Sequence, residues 1–201
     1  SHGSSNSAGT AILLCNNANV EILKCYPDPK GYYCIVTAHI FQTTYILVNT
    51  YSPIPDKDQF LYYQNLNNVI KTILDDHNYP ILIGGDFNNV LNKEDDRLSG
   101  NYRIKKKGFK EIFNIINTYQ LIDIYRFNMP MSKKYTWKQK KPSIHSRIDF
   151  WLVSEAVQER ITNCKIIPNI LSDHSTISIN LTQNESKQGP SLRKFKNLTL
   201  H

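Results

Sequence analysis

The segment Gly84-Gly85-Asp86-Phe87-Asn88 holds residue types that can carry chemistry, and it directly follows the apolar run 80–83. A buried strand there would deliver a carboxylate and an amide at its C-terminal end, where α/β sheets present their reactive groups. Two later segments, Ser146-Arg147-Ile148-Asp149 and Leu171-Ser172-Asp173-His174-Ser175, add two carboxylates and an imidazole. Oxygen and imidazole donors of this kind suit a divalent metal and a phosphate group.

The hydrophobic pattern indicates the elements that would position these groups. Successive strands are predicted where β-branched, aromatic and other apolar residues cluster, over 10–15, 20–25, 31–40 and 43–51. Asp56 is expected to cap the helix that follows, before strand 80–86. The apolar face of that helix comprises Leu66, Val69, Ile70, Ile73 and Leu74.

The second half of the chain continues the mixture of strands and helices. A second amphipathic helix presents Phe109, Ile112, Phe113 and Ile116 on one face. Paired strands are then expected over 133–139 and 146–153, around a basic connection. A short helical stretch over 154–160 and two more strands, over 161–167 and 175–182, follow. This order of elements predicts a layered α/β sandwich. A domain over 1–182 is expected, followed by a polar linker or tail over 183–201.

Composition narrows the class of protein. A chain of 201 residues with 40% hydrophobic content fits one globular domain. No apolar run reaches the roughly 18 residues of a transmembrane helix, and no signal peptide is visible. The four cysteines lack a CxxC spacing, and three lie in apolar, strand-like segments, so free buried thiols in a reduced nuclear or cytoplasmic compartment are expected.

The formal net charge of +7 favours a polyanionic partner. Lys138, Lys140 and Lys141, with Arg147 shortly after them, predict a nucleic-acid contact, and the alternative is an ordinary solvated hairpin tip. The basic residues form three clusters: Arg103, Lys105, Lys106, Lys107 and Lys110; Lys138, Lys140, Lys141 and Arg147; Lys187, Arg193, Lys194 and Lys196.

The motifs, in this order and spacing, resemble the endonuclease/exonuclease/phosphatase superfamily, and most closely the apurinic/apyrimidinic-type endonuclease domain of LINE-type (non-LTR) retrotransposons. The resemblance runs through Ser1–Gly9, Asn49-Thr50-Tyr51-Ser52-Pro53, the Asp86 segment, Tyr135-Thr136-Trp137 and the two later motifs. It implies a four-layered α/β sandwich. The chain starts at a segment that resembles the one after the family's metal-binding Glu, so the first strand, helix and following strand are expected to be missing.

The resemblance also implies roles for individual residues. Asp86 would activate or position the nucleophile, while Asn88 would assist it and hold a phosphate oxygen. Asp149 would orient His174, which would contact the scissile phosphate. Asp173 matches a metal-associated residue, with Mg²⁺ as the cation and Mn²⁺ as the alternative. Phosphate contacts are expected from Tyr51, Thr136 and Ser172.

The implied function is a Mg²⁺-dependent DNA endonuclease that nicks double-stranded DNA for retrotransposition, impaired in a chain that lacks the Glu. Two alternatives stay open. One is another phosphodiesterase or phosphatase of the superfamily, acting on abasic DNA, a lipid head group or an inositol phosphate. The other is an inactive remnant that binds nucleic acid. A fused reverse transcriptase and a monomeric state are also expected, and no membrane partner is.

Overall fold

The computed structural model describes residues 2–4, 7–15, 19–75, 77–99 and 105–183. Arg103, the third basic cluster and residues 184–201 of the predicted tail lie outside the described residues. Within the described part of the chain, no helix combines the length and the apolar character needed to cross a membrane.

The described elements are a mixture of strands and helices, as expected. In chain order they are β1 (His2–Ser4), β2 (Ser7–Gly9), β3 (Val20–Pro27), β4 (Tyr33–Ile40), β5 (Thr43–Tyr51), α1 (Asp56–Leu74), β6 (Ile81–Asp86), α2 (Lys93–Asp96), β7 (Arg97–Leu98), α3 (Lys106–Thr118), β8 (Leu121–Asp123), α4 (Ile124–Asn128), β9 (Trp137–Gln139), β10 (Ile144–Ser146), β11 (Asp149–Ser154), a 3₁₀ helix (Glu155–Arg160), β12 (Ile161–Ile167) and β13 (Thr176–Leu181).

The centre of the fold is a six-stranded sheet in the order β3-β4-β5-β6-β11-β8. Strands β5 and β6 run parallel, and the other neighbours are antiparallel. Helices α1 and α3 cover one face, where Leu66 and Ile70 of α1 and Ile112 of α3 pack on Ile46 and Ile83 of the sheet. Burial of these apolar side chains is the main force that holds the two layers together.

The opposite face of the sheet carries a second core. Tyr45, Leu82 and Val153 project from the sheet and pack against Ile161 and Cys164 of β12. Strands β12 and β13 pair antiparallel as a two-stranded sheet, with α4 and the 3₁₀ helix beside it. The predicted layered α/β sandwich is therefore confirmed.

A third sheet, in the order β7-β10-β9, forms the part of the molecule that carries the second basic cluster. The predicted pairing of 133–139 with 146–153 is wrong in detail, because β9 pairs with β10 instead. Strand β11 enters the central sheet between β6 and β8. Its residues are almost all buried, which is typical of a central strand rather than of one arm of a surface hairpin.

Three smaller predictions are also corrected. Residues 10–15 form no strand. Asp56 does not cap α1, since its carboxylate accepts a hydrogen bond from the backbone N–H of Gly108 at the start of α3. Among the cysteines, Cys15 and Cys25 are exposed, and only Cys164 is fully buried. Cys25 is exposed because β3 is the edge strand and little packs on it.

Candidate active site

The register of the central sheet brings three predicted residues side by side. Asp86 ends β6, and it pairs with Tyr51 at the end of β5 and with Asp149 at the start of β11. The parallel β5–β6 pair and the antiparallel β6–β11 pair thus place two carboxylates and a phenol side by side, where the central strands β5 and β6 end and β11 begins. Tyr51 is 37% exposed, so this residue lies at the surface of the molecule.

Gly85 allows this close approach of the strands. Its φ is +136°, a region that side chains rarely adopt, and a Cβ there would lie 2.0 Å from the backbone oxygen of Thr50. Any other residue would separate β5 from β6 one position before Asp86. The second glycine of the motif is therefore needed for the spacing of the site.

Asn88 closes the turn after β6 and is tied to Asp86. Its φ is +48°, which asparagine tolerates better than most residues. Its backbone N–H donates to Asp86 Oδ1 at 2.8 Å, and its amide nitrogen donates to Asp86 Oδ2 at 3.1 Å and to the Ser52 carbonyl at 2.8 Å. Both amide hydrogens are thus engaged, and the amide could hold a phosphate oxygen only by exchanging one of these bonds.

Side chains of helix α1 and of the hydrophobic core hold this turn in place. Gln59 is 0% exposed, and its amide donates to the carbonyl of Asn88 at 3.0 Å. The Tyr63 hydroxyl donates to the Phe87 carbonyl at 3.0 Å. The Phe87 ring stacks on Phe150 with 3.9 Å between ring centroids. The turn that carries Asp86 and Asn88 is therefore fixed by buried contacts on two sides.

His174 and Asp149 form the predicted pair. Nδ1 of His174 lies 3.0 and 3.1 Å from the two carboxylate oxygens of Asp149. The hydrogen bond to Asp149 raises the pKa of the His174 imidazole, against the opposing effect of burial. An antiparallel bridge between His174 and Trp137 holds the histidine against β9. Because Nδ1 faces Asp149, Nε2 is the nitrogen left to meet a substrate.

The two carboxylates and the imidazole form a donor set that fits a divalent cation. One ligand atom from each of Asp86, Asp149 and His174 lies within 4.8 Å of the others. Burial and the nearby charge of Asp149 raise the pKa of Asp86 to about 7. Two close carboxylates repel each other, and a bound cation would relieve that repulsion while accepting oxygen ligands.

The structure does not bring Asp173 into this group. Its carboxylate is exposed and accepts a hydrogen bond from the Trp137 indole N–H at 3.0 Å. Its assignment as a metal ligand stays a prediction. Ser172 is likewise exposed, and its hydroxyl accepts the backbone N–H of His174 at 3.0 Å. Ser172 thus shapes the loop before the histidine, and its contact with phosphate also stays a prediction.

The phosphate contact predicted for Thr136 does not agree with the position of its side chain. It is 0% exposed, and its hydroxyl accepts the backbone N–H groups of Ile148 and Asp149, both at 3.0 Å. A phosphate cannot reach a side chain in this position. Thr136 instead fixes the start of β11, so it positions Asp149.

The prediction that Arg147 contacts DNA is wrong. Its side chain is 1% exposed and is held by two carboxylates. The Arg147 Nε lies 2.7 Å from Asp96, and a terminal nitrogen lies 2.5 Å from Asp123. Arg126 also contacts Asp96, at 2.7 Å. These four residues form a buried ion network that joins α2 and the β8–α4 junction to the residue before Ile148-Asp149.

The remaining members of the second basic cluster are accessible. Lys138, Lys140 and Lys141 are all exposed on the β9–β10 hairpin. The backbone N–H of Lys138 donates to the Asp173 carbonyl at 3.1 Å, so the hairpin runs beside the loop that carries His174. The predicted nucleic-acid contact therefore lies next to the predicted chemistry.

Two residues of the site were missed by sequence reasoning. Gln59 had a signal, since it stands seven residues before Leu66 on the buried stripe of α1, where a polar residue is unusual. Lys105 was named only as one member of the first basic cluster, and nothing in the sequence distinguished it from its neighbours, because its partner is distant in sequence. Its ammonium donates to the Asn88 carbonyl at 2.6 Å. Burial lowers the pKa of Lys105, while the charges of Asp86 and Asp56 act in the opposite direction.

Comparison with known proteins adds an independent finding. A family model described as "Endonuclease-reverse transcriptase" matches residues 45–178, which hold all the groups of the site. The "Transposon TX1 uncharacterized 149 kDa protein" of Xenopus laevis is 24% identical over 180 residues. That match covers 88% of this chain and 13% of the relative, so the chain spans only a small part of that protein's length.

Solved structures share the fold at low sequence identity. The 3'-5' exonuclease NExo from Neisseria meningitidis has a TM-score of 0.64 at 17% identity, over 83% of this chain and 72% of that one. The AP endonuclease LMAP from Leishmania major has a TM-score of 0.60 at 16% identity, over 78% and 56%. The endonuclease domain of TRAS1, a telomere-specific non-LTR retrotransposon, has a TM-score of 0.57 at 14% identity, over 83% and 81%.

Proposed function

Because the chain belongs to the endonuclease-reverse transcriptase family, we propose that it hydrolyses phosphodiester bonds in double-stranded DNA and nicks a target strand for retrotransposition. The observation that carries the proposal is the juxtaposition of Asp86, Asp149 and His174 at one sheet edge, with Asn88 bonded to Asp86. Phosphodiester hydrolysis needs an activated water and stabilisation of charge on the phosphoryl oxygens. This set of groups can supply both.

The residues divide the work by their positions. Asp86 accepts or orients the proton of the attacking water, and Asn88 holds the Asp86 carboxylate in place. Asp149 fixes the ring of His174 and stabilises its protonated form. Since the pKa of His174 is raised, its Nε2–H is available to donate to a phosphate oxygen. Tyr51 stands beside Asp86 and can add a second donor.

We propose Mg²⁺ as the cation, with Mn²⁺ as the alternative, held by Asp86 of this donor set. Asp173, whose carboxylate accepts a hydrogen bond from Trp137, is a metal ligand by resemblance alone. A bound divalent cation supplies Lewis acidity toward a phosphate oxygen and lowers the pKa of a coordinated water. Support comes from the close Asp86 and Asp149 carboxylates, whose mutual repulsion a cation relieves. The fused reverse transcriptase and the monomeric state belong to the same proposal.

A plasmid nicking assay tests this function. The 201-residue chain is used in excess over supercoiled plasmid, so that slow turnover is detected, with Mg²⁺ or with EDTA. His174→Ala and Asp86→Ala should each lower the nicking rate by about 100-fold or more. Lys71→Gln is the control, since Lys71 is exposed in the last turn of α1, at the far end from the site.

The outcomes separate the candidate functions. Mg²⁺-dependent nicking that is lost in both variants supports the proposal. Equal nicking by His174→Ala and the unsubstituted chain would refute it. Turnover of an abasic duplex or an inositol phosphate without plasmid nicking would favour another phosphodiesterase of the superfamily.

A further inference from the structure

Lys105 forms two hydrogen bonds with the turn that follows Asp86, although it belongs to none of the sequence motifs. Its ammonium donates to the Asn88 carbonyl at 2.6 Å. Its own carbonyl accepts a hydrogen bond from the Asn89 amide at 3.2 Å. The backbone and the tip of this lysine are therefore both fixed relative to the residues that follow Asp86. A cation held in this way needs little reorganisation when a substrate binds.

Within the turn, Asn88 has no amide hydrogen free to donate to a phosphate, so another residue must supply that hydrogen bond. Both amide hydrogens of Asn88 are occupied, by Asp86 and by the Ser52 carbonyl. An ammonium has three hydrogens, and the Asn88 carbonyl takes one of those on Lys105. Two donors of Lys105 can therefore point to an anion at the same turn without breaking the bonds that hold Asn88.

The charge of Lys105 also acts at the reacting centre. The positive charge of Lys105 lowers the pKa of Asp86, and the charges of Asp86 and Asp56 raise the pKa of Lys105, so the ammonium interacts electrostatically with the carboxylate that is proposed to act on the attacking water. Lys105 is half-buried, whereas its neighbours Lys106 and Lys107 are exposed. A partly buried charge is screened less by salt and water, and its effect on a nearby phosphate is correspondingly larger.

We propose that Lys105 is a phosphate-binding residue of this site, which contacts a non-bridging oxygen of the scissile or adjacent phosphate and stabilises the negative charge that builds up during hydrolysis. This inference rests on the proposed nuclease function and adds a residue that the motifs do not include. Its contribution is a positive charge at a fixed point, so a neutral side chain of similar length should not replace it.

The test compares charge-removing and charge-keeping variants under single-turnover conditions. Lys105→Gln should lower the rate of plasmid nicking at saturating enzyme by about 10- to 100-fold, and Lys105→Arg should recover most of that loss. Lys71→Gln should nick at the unsubstituted rate. Thermal unfolding of each variant is measured alongside, because a lysine that only tethers α3 would change the melting temperature together with the rate.

A binding measurement separates this inference from the nuclease proposal. In a His174→Gln background, the affinity for a short DNA duplex is measured against salt concentration. Lys105→Gln should make the slope of log affinity against log salt shallower by about one, even if the chain proves not to nick DNA at all. An unchanged slope together with an unchanged nicking rate overturns the inference. Loss of the folded state in Lys105→Gln also overturns it, since the ammonium would then serve the fold.

Discussion

Asp86 and Asp149 are neighbours across two paired strands and carry like charges, and this sets the pH behaviour of the site. Burial and the charge of Asp149 hold the pKa of Asp86 at about 7, well above its ordinary value of 3.8. Between these two pH values the folded chain binds more protons than the unfolded chain. Stability therefore falls as pH rises through this window when no cation is bound.

The corresponding variant is Asp86→Asn, which removes the charge and keeps the shape. In EDTA at pH 8 it should melt about 3 °C or more above the unsubstituted chain, because the buried charge and its repulsion from Asp149 are both removed. The difference should shrink as the pH falls toward 4. Calorimetry across this range checks the sign, with the exposed Asp75→Asn as the control. A pH-independent difference would mean that Asp86 does not titrate in this window.

Added Mg²⁺ should reverse the order of stability. A cation that binds only the folded chain, through Asp86, raises the melting temperature of the unsubstituted chain by an amount that keeps increasing with the logarithm of the Mg²⁺ concentration above the dissociation constant. Asp86→Asn lacks the charged ligand and should gain little. Equal stabilisation of both chains by millimolar Mg²⁺ would place the cation elsewhere.

At the scale of elements, the buried ion network joins α2, the β8–α4 junction and the start of β11. Asp96 is 0% exposed and meets both Arg147 and Arg126. The charges of these two arginines are balanced by the carboxylates of Asp96 and Asp123. A buried ion pair adds little to the stability of a fold compared with well-packed apolar residues of similar volume. Removing only one partner, however, leaves an uncompensated charge in the interior, which is strongly destabilising.

Arg147→Met should therefore destabilise the fold by about 3–5 kcal/mol. Chemical denaturation measures the loss. Lys133→Met is the matched control, because the Lys133–Asp95 pair is largely exposed, and its removal should cost under about 1 kcal/mol. Comparable losses for the two variants would show that the Arg147 network is no more important than a surface pair.

The β9–β10 hairpin is expected to decide where DNA is cut, while Asp86 and His174 decide whether it is cut. Replacing 138–145 with a short Gly-Ser turn should weaken salt-dependent binding and change the distribution of nicks on a mixed-sequence plasmid. The Mg²⁺ requirement should survive. Mapping the nick sites by sequencing checks the prediction, and an unchanged pattern would leave the hairpin as a solvated tip.

At the scale of the whole molecule, the proposed domain ends near residue 182. Strand β13 ends at Leu181, and the Thr182 N–H donates to the Arg160 carbonyl at 2.9 Å. A chain that stops at residue 183 should keep the melting temperature and the nicking rate of the 201-residue chain, as measured by calorimetry and the plasmid assay. A drop in melting temperature of more than about 3 °C would move the boundary further along the chain.

The resemblance to the endonuclease/exonuclease/phosphatase superfamily is confirmed by the family match and by the shared fold. Periodicity also located most strands and both long helices, because alternating and helical apolar patterns are local signals. The positions of Asp86, Asn88, Asp149 and His174 followed from motif order, and the structure brings them together.

Burial of polar residues was the part that sequence reasoning could not supply. Arg147 stands among exposed lysines in the sequence, yet its partners Asp96 and Asp123 are 51 and 24 residues away. The Thr136 hydroxyl likewise faces the backbone at the start of β11 rather than solvent, and no local pattern in the sequence indicates this contact. Such contacts depend on which strand enters which sheet, and the assignment of 146–153 to a hairpin placed Arg147 on the wrong surface.

The buried network also constrains how this chain can change over generations. A lineage that loses the charge at Asp96 or Arg147 alone must pass through a less stable ancestor, whereas exchanging both can restore a neutral interior. Substitutions at these two positions, 51 residues apart, should therefore be inherited together. Among descendants of this domain, an apolar residue at one position should be accompanied by an uncharged residue at the other.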